Sequence, residues 1–267
     1  MTQSRPYPIT ERWLATAARA ERCALFFDFD GTLAPMHDDP GAVFPVSGIV
    51  EALDGLAEAV AHVAIVSARP VEFLRDRLPG LHNVDLYGLY GLEVSHRGEP
   101  TVTDPTALAW VPTMAELADL ARAELPPGAG VEYKRLSVAL HYRTAPHLRE
   151  EVEQWGHAQA VRVGATAQGG RMVLELKPPV RLDKGTVINR ATSGVDCAWY
   201  FGDDFSDLAA FAAVRERAAA DPGFVGVCVA VANPETGHEV SAAADITLDS
   251  PAALAGFLAD ALRLYAP

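Results

Sequence analysis

The segment FFDFDGTLAP, residues 26–35, sets Asp28 and Asp30 two positions apart at the end of a hydrophobic run and follows them with Gly31 and Thr32. Crowded carboxylates repel unless positive charge stands beside them, and such a pair can divide a two-step displacement between them. One carboxylate attacks phosphorus and forms an aspartyl-phosphate; the other protonates the leaving alkoxide and later activates water. Asp28 and Asp30 fit those two jobs. A phosphate monoester is a dianion, so an attacking anion needs neutralisation from a metal and a fixed ammonium. Lys184, in LDKGTVI at the start of a predicted helix, is the candidate ammonium. Ser67, in VSARP, offers a hydroxyl to a phosphoryl oxygen, Gly31 lets the chain turn closely, and Thr32 offers a further donor. A third stretch, GDDFSD (202–207), also closes an apolar run. Carboxylates from two strand ends plus a backbone carbonyl make a hard oxygen set suited to Mg2+.

These side chains converge only if the strands that carry them end side by side. CALFFDFD (23–30) and HVAIVSA (62–68) read as buried strands, separated by a helix at 47–60 with Ser47 as its cap and followed by a helix at 71–78. After residue 180 the grammar repeats: helix 184–193, strand 197–204, helix 205–219, strand 224–231, a short strand at 245–248 and a last helix at 251–265. Continuous apolar strands alternating with helices predict a doubly wound α/β fold, a parallel sheet covered on both faces, with ligands beyond the carboxyl ends of the strands. Between the halves the pattern changes to helix 107–125, strand-like alternation at 130–143, helix 146–159 and strand 171–179. That predicts a smaller α+β module at 106–178 inserted into a core made of 1–105 and 179–267.

Taken together, DFDGT, a serine ending the second strand, a lysine before a later strand and GDDFSD resemble the four motifs of haloacid dehalogenase superfamily phosphatases, in order, over about residues 23–207. VEYKRLSVALHYR and MVLELKPPVRLDKG are in turn similar to the trehalose-6-phosphate phosphatases of that superfamily. The resemblance implies a hydrolase core with a mobile cap, Mg2+ dependence, and hydrolysis of trehalose 6-phosphate to trehalose and phosphate. It implies Asp28 as nucleophile, Asp30 as the acid/base that also lends its carbonyl to Mg2+, Asp203 as the second carboxylate ligand and Asp207 as support of the metal shell. In the cap it places Glu132, Lys134 and Glu175 against sugar hydroxyls, with Ser137 nearby. Two departures stand out: Tyr90, in GLYGLE, occupies the family's histidine position, and GDDFSDLAAF lacks an acidic pair that the family often carries. Both leave the hydrolytic centre intact and bear on which sugar is taken. Another phosphorylated disaccharide or pseudo-disaccharide, a glycosyl-glycerol phosphate, or a non-catalytic sugar-phosphate sensor are the competing readings.

Blander readings exist for each motif. DFDGT could be a surface turn, Ser67 with Pro70 a helix start, GDDFSD a capping loop, and EYK the wet face of an ordinary strand. His141 and the other histidines read as structural or surface residues, without zinc spacing. GLYGLE lacks the glycine spacing of a dinucleotide fingerprint. Composition narrows the class further. The 267 residues are 49% hydrophobic, enough to fill an interior, and 22 basic against 35 acidic residues give a net charge of −13, which disfavours nucleic acid and anionic lipid. Cys23, Cys197 and Cys228 are odd in number and sit in apolar stretches, as reduced core thiols do. MTQSRPYPIT lacks an apolar leader core, and no stretch reaches the roughly 20 apolar residues of a membrane span. The expectation is a cytoplasmic enzyme acting on a small sugar phosphate, as a monomer or small homo-oligomer.

Overall fold

The structure, a computed structural model, describes residues 9–170, 172–233 and 236–265. The leader-free reading of the N-terminus therefore falls, up to residue 8, outside the described residues, as does Arg171 of the segment at 171–179. In chain order the first part runs α1 (Ile9–Ala17), β1 (Cys23–Phe27), α2 (Ile49–Ala59), β2 (His62–Val66), α3 (Val71–Arg77), β3 (Asp85–Gly88), β4 (Glu93–Ser95) and β5 (Val102–Thr103). A middle part follows as α4 (Pro105–Leu108), α5 (Val111–Glu124), β6 (Gly130–Tyr133), β7 (Val138–His141), α6 (Arg149–Val163), β8 (Thr166–Gly170) and β9 (Val173–Lys177). The chain ends in α7 (Lys184–Ala191), β10 (Cys197–Gly202), α8 (Asp207–Ala220), β11 (Val225–Val231), α9 (His238–Ala243), β12 (Ile246–Leu248) and α10 (Pro251–Arg263).

Among the described residues these strands form two sheets. The larger has the order β12-β11-β10-β1-β2-β3-β4-β5, parallel from β12 to β3 and antiparallel at β4 and β5. Alternate residues of β1 serve opposite faces: Leu25 and Phe27 join Trp199 and Phe201 beneath α2, α3 and α10, while Ala24 and Phe26 join Tyr200 beneath α7 and α8. Every residue of β1 is buried, which is why the sequence there shows an unbroken apolar run. Trp13 of α1 seals the first face, packing edge-on against Trp199 with ring centroids 5.0 Å apart. No described helix is long and apolar enough to cross a membrane.

The smaller sheet, β6-β7-β9-β8, is antiparallel throughout. Met114 and Leu117 of α5 and Val152 of α6 pack with Val138, Leu140, Leu174 and Leu176 on one face. The opposite face carries a row set by pairing, Glu132↔Ala139↔Glu175↔Gln168, and next to it the row His141↔Val173↔Gly170. Where this sheet meets the rest of the molecule, Leu136 in the β6–β7 turn is fully buried with Leu89, Leu92, Ala107 and Leu182. Arg135, in the same turn at φ 66°, donates to Glu93 (2.9 Å) and Thr103 (3.2 Å).

Several expected elements differ in detail. Ser47 does not cap α2; the capping position is Gly48 at φ 88°, which presents no side chain, and the helix starts two residues later than expected. The helix expected over 107–125 is two: Asp104 and Pro105 start α4, and Pro112, having no N–H to offer Leu108, forces a new start at Val111. Strands β3, β4, β5 and β8 and helix α1 were not foreseen. The strands are short or, like TAQGG in β8, lack the β-branched alternation by which a strand is recognised.

Register brings the chemistry together. Phe27 is level with Phe201 and Ile65 on its two neighbours, so Asp28, Ser67 and Asp203 all lie one or two residues beyond the same line. The Asp28 N–H, donating to the Phe201 carbonyl at 2.9 Å, carries the pairing to the first of them. Gly31 then turns at φ 82°, and a Cβ there would stand 2.1 Å from an Asp203 carboxylate oxygen. Gly31→Ala therefore combines a left-handed backbone with a blocked carboxylate. Loss of about 1–3 kcal/mol of stability in urea unfolding is the expected outcome.

Candidate active site

Beyond the carboxyl ends of β1, β2 and β10 lies a cleft of about 230 Å3, roofed by the polar rows of the smaller sheet. Asp28, Asp30, Ser67, Lys184 and Asp203 line it from below; Glu132, Lys134 and Glu175 line it from above. Gly31, Thr32, Ser137 and Asp207 stand behind these residues and are not part of the lining.

Lys184 opens α7, whose N-terminus is capped by the Asp183 carboxylate accepting from the Thr186 N–H at 2.7 Å. Its ammonium lies 2.8 Å from Asp28 Oδ1 and 2.7 Å from Asp207 Oδ1. Burial alone would pull its pKa down, but the Asp207 and Asp28 charges outweigh that and raise it, so the ammonium stays charged. Asp207, fully buried, accepts from four donors: the Lys184 ammonium, the Tyr200 hydroxyl (2.7 Å), and the main-chain N–H groups of Asp203 (2.9 Å) and Asp204 (3.1 Å). It thereby holds both the lysine and the turn that presents Asp203.

Asp203 is gripped in turn by the Thr32 hydroxyl at 3.0 Å on Oδ1 and the Asn233 amide at 2.8 Å on Oδ2. The Thr32 hydroxyl, expected as a donor to phosphate, gives its proton to Asp203 here. Burial raises the pKa of Asp28 and of Asp203, with neighbouring carboxylates pushing the same way and Lys184 opposing. Asp28, Asp203 and Asp207 each bring one carboxylate oxygen within 4.8 Å of the others. Buried carboxylates so crowded, with a single ammonium among them, form an all-oxygen donor set whose excess negative charge a hard divalent cation would relieve. The donor chemistry fits Mg2+.

On the roof, Glu132 meets Arg69 Nη1 at 3.0 Å through Oε1 and His141 Nε2 at 3.0 Å through Oε2. Burial would raise its pKa, yet the hydrogen bond from His141 and the charges of Lys134 and Arg69 bring it down to about 2. Glu175 accepts from Ser137 (2.8 Å) and Lys134 (3.3 Å) on Oε1 and from the Tyr90 hydroxyl (3.0 Å) on Oε2. Ser137 thus orients Glu175 from behind. Burial and the Glu175 charge raise the Tyr90 pKa well above its usual value, which keeps that hydroxyl a donor.

Some of these groups carried no signal in the motifs. Arg69 lies inside VSARP, where only the serine was singled out; a guanidinium beside a carboxylate pair at a strand end was the available clue. His141, read as structural or surface, lines the cleft, since strand pairing puts it on the same face as Glu132. Ser67 does not cap α3, whose capping position is Pro70; its oxygen accepts from the Arg69 N–H at 3.1 Å. GLYGLE folds into a tight turn with Leu89, Tyr90 and Gly91 all at positive φ, and that turn aims Tyr90 across the cleft at Glu175.

A family model described as Trehalose-phosphatase matches residues 26–251. The chain is 37% identical over 257 residues to the trehalose-phosphate phosphatase of Mycolicibacterium paratuberculosis, covering 90% of this chain and 63% of that one. It is 34% identical over 254 residues to the trehalose-phosphate phosphatase of Mycobacterium tuberculosis, at 91% and 62% coverage. The chain therefore spans about three-fifths of the length of these curated relatives. Among solved structures, the C-terminal domain of C. albicans trehalose-6-phosphate phosphatase superposes with a TM-score of 0.77 at 20% identity, covering 97% of this chain and 99% of that one. A haloacid dehalogenase-like hydrolase from Bacteroides thetaiotaomicron gives 0.60 at 16% identity, with 90% and 99% covered. At those identities the likeness is one of fold, whereas the family match extends over most of the sequence and includes every motif residue described above: the chain belongs to the trehalose-phosphatase family.

Proposed function

We propose that the protein is a Mg2+-dependent phosphomonoesterase that hydrolyses trehalose 6-phosphate to trehalose and phosphate through an aspartyl-phosphate. The observation that carries the reading is the Asp28–Lys184 contact at 2.8 Å, at the floor of a cleft whose roof bears Glu132, Lys134 and Glu175. Asp28 attacks phosphorus, an Oδ–P bond forms and the bond to the sugar oxygen breaks, with Asp30 giving that oxygen its proton. Water then attacks the aspartyl-phosphate, Asp30 takes its proton, and phosphate leaves with the Asp28 carboxylate restored. Lys184 balances the phosphoryl charge throughout, and Ser67 donates to a phosphoryl oxygen. Asp28, Asp203 and the main-chain carbonyl of Asp30 would hold Mg2+, which when bound neutralises charge on the phosphoryl group. Asp207, its oxygens already engaged by four donors, supports that set from behind.

Glu132, Lys134 and Glu175 offer the sugar charged hydrogen-bond partners, and a hydroxyl missing from the ligand would leave one of them unpaired, at a cost of about 1–3 kcal/mol. The module at 106–178 is read as the cap that closes over the sugar. Three free, buried cysteines fit a reducing compartment, the cytoplasm. A second reading, another phosphorylated disaccharide on the same machinery, is favoured by one observation: Tyr90 stands at the family's histidine position and occupies one oxygen of Glu175.

Phosphate release across a panel of sugar phosphates separates the two. Trehalose 6-phosphate should rank first; a clearly better disaccharide phosphate would replace it. Asp28→Asn should remain folded by circular dichroism and lose turnover by a factor on the order of 10³ or more, and retained turnover would exclude the covalent route. Chelation should abolish activity, and added Mg2+ should restore it. In Asp207→Asn an amide must face at least one of four donors, so a loss of about 3–5 kcal/mol in chemical unfolding is expected alongside lost activity.

A further inference from the structure

Arg69 occupies the space between the two functional halves of the cleft. Its Nε and Nη2 grip both oxygens of Asp30 at 2.8 and 2.7 Å, while Nη1 reaches Glu132 on β6 at 3.0 Å. The side chain is only 9% exposed, the Phe73 ring lies against the guanidinium at 4.5 Å, and Ser67 Oγ holds the main-chain N–H at 3.1 Å. A planar fork pinned on one face and at its root has little freedom, so the carboxylate it grips takes its orientation from it. The guanidinium is in turn anchored on Glu132, which belongs to the opposite sheet.

We infer that Arg69 is a positioning residue that ties the sugar side of the cleft to proton transfer: Glu132 sets Arg69, and Arg69 sets Asp30. The inference rests on the reading of Asp30 as the acid/base. Its consequence is that Glu132 contributes to departure of the alcohol even from a substrate with no sugar ring to touch it, because displacing a proton donor by about 1 Å can cost on the order of 10²-fold in rate. Lysine at position 69 would keep the charge but not the fork, and could satisfy one of the two carboxylates and not both.

The experiment compares kcat/KM, which reports the steps up to departure of the alcohol, for Arg69→Lys, Glu132→Ala and the double variant. Three esters serve as substrates: trehalose 6-phosphate; glycerol 1-phosphate, whose alkoxide needs a proton but which has no sugar ring; and p-nitrophenyl phosphate, whose leaving group is stable as an anion. On glycerol 1-phosphate each single variant should fall by about tenfold or more, with the double variant no worse than the worse single one. The loss on p-nitrophenyl phosphate should be smaller by about tenfold. Glu132→Ala acting at wild-type rate on glycerol 1-phosphate would overturn the inference, as would equal losses in Arg69→Lys on all three esters. Glu132 is partly exposed, so the Glu132→Ala arm stands even where Arg69→Lys fails to fold. A wild-type protein that prefers another sugar phosphate rejects the trehalose reading and leaves the glycerol 1-phosphate comparison intact.

Discussion

A buried ammonium held between two carboxylates governs the layout of the floor of the cleft. Lys184 is 2% exposed, and in such surroundings a lysine without partners would give up its proton. Asp207 prevents that, and its remaining capacity fixes the backbone turn carrying Asp203. A single carboxylate therefore sets the positions of the positive charge and of one of the negative groups that the charge must balance. Networks of this kind contribute little net stability, since desolvation of each ion opposes the attraction; what they supply is placement. The two closest backbone approaches follow from it. Gly31 leaves room for Asp203 and Gly202 for Asp207, whose carboxylate carbon would stand 2.3 Å from a Cβ.

The roof obeys a different rule. Strand pairing alone decides that Glu132, Glu175 and Gln168 share a row and that His141 shares their face, because successive residues of a strand point to opposite sides. Its carboxylates are each met by nearby polar groups: Arg69 and His141 at Glu132, and Lys134, Ser137 and Tyr90 at Glu175. Floor and roof are linked by Arg69, shared between Asp30 and Glu132, and by Tyr90, which donates to Glu175.

Much of the floor could be read from the sequence, because buried parallel strands announce themselves as apolar runs and their carboxyl ends are where polar residues appear. Asp28, Asp30, Ser67 and Asp203 were legible for that reason. Lys184 was legible through its place after the inserted module. Arg69 and His141 were not, since nothing local marks an arginine as facing inward or a histidine as paired with a glutamate nine residues earlier. Thr32 shows a converse limit: a hydroxyl in a motif reveals a donor without its recipient, and here the recipient is Asp203. The antiparallel strands β4 and β5 are not legible because three- and two-residue strands leave no periodicity to detect.

The small apolar cluster at the seam has a mechanical meaning. Ala107 lies where the chain enters the smaller layer, Leu182 where it returns, and Leu136 in the turn that dips between them. Contacts among such side chains have no preferred direction, whereas the hydrogen bonds that Arg135, Arg69 and Tyr90 make between the layers are directional. The apolar cluster therefore supplies burial at the seam, and the relative orientation of the two layers is fixed by that handful of polar links.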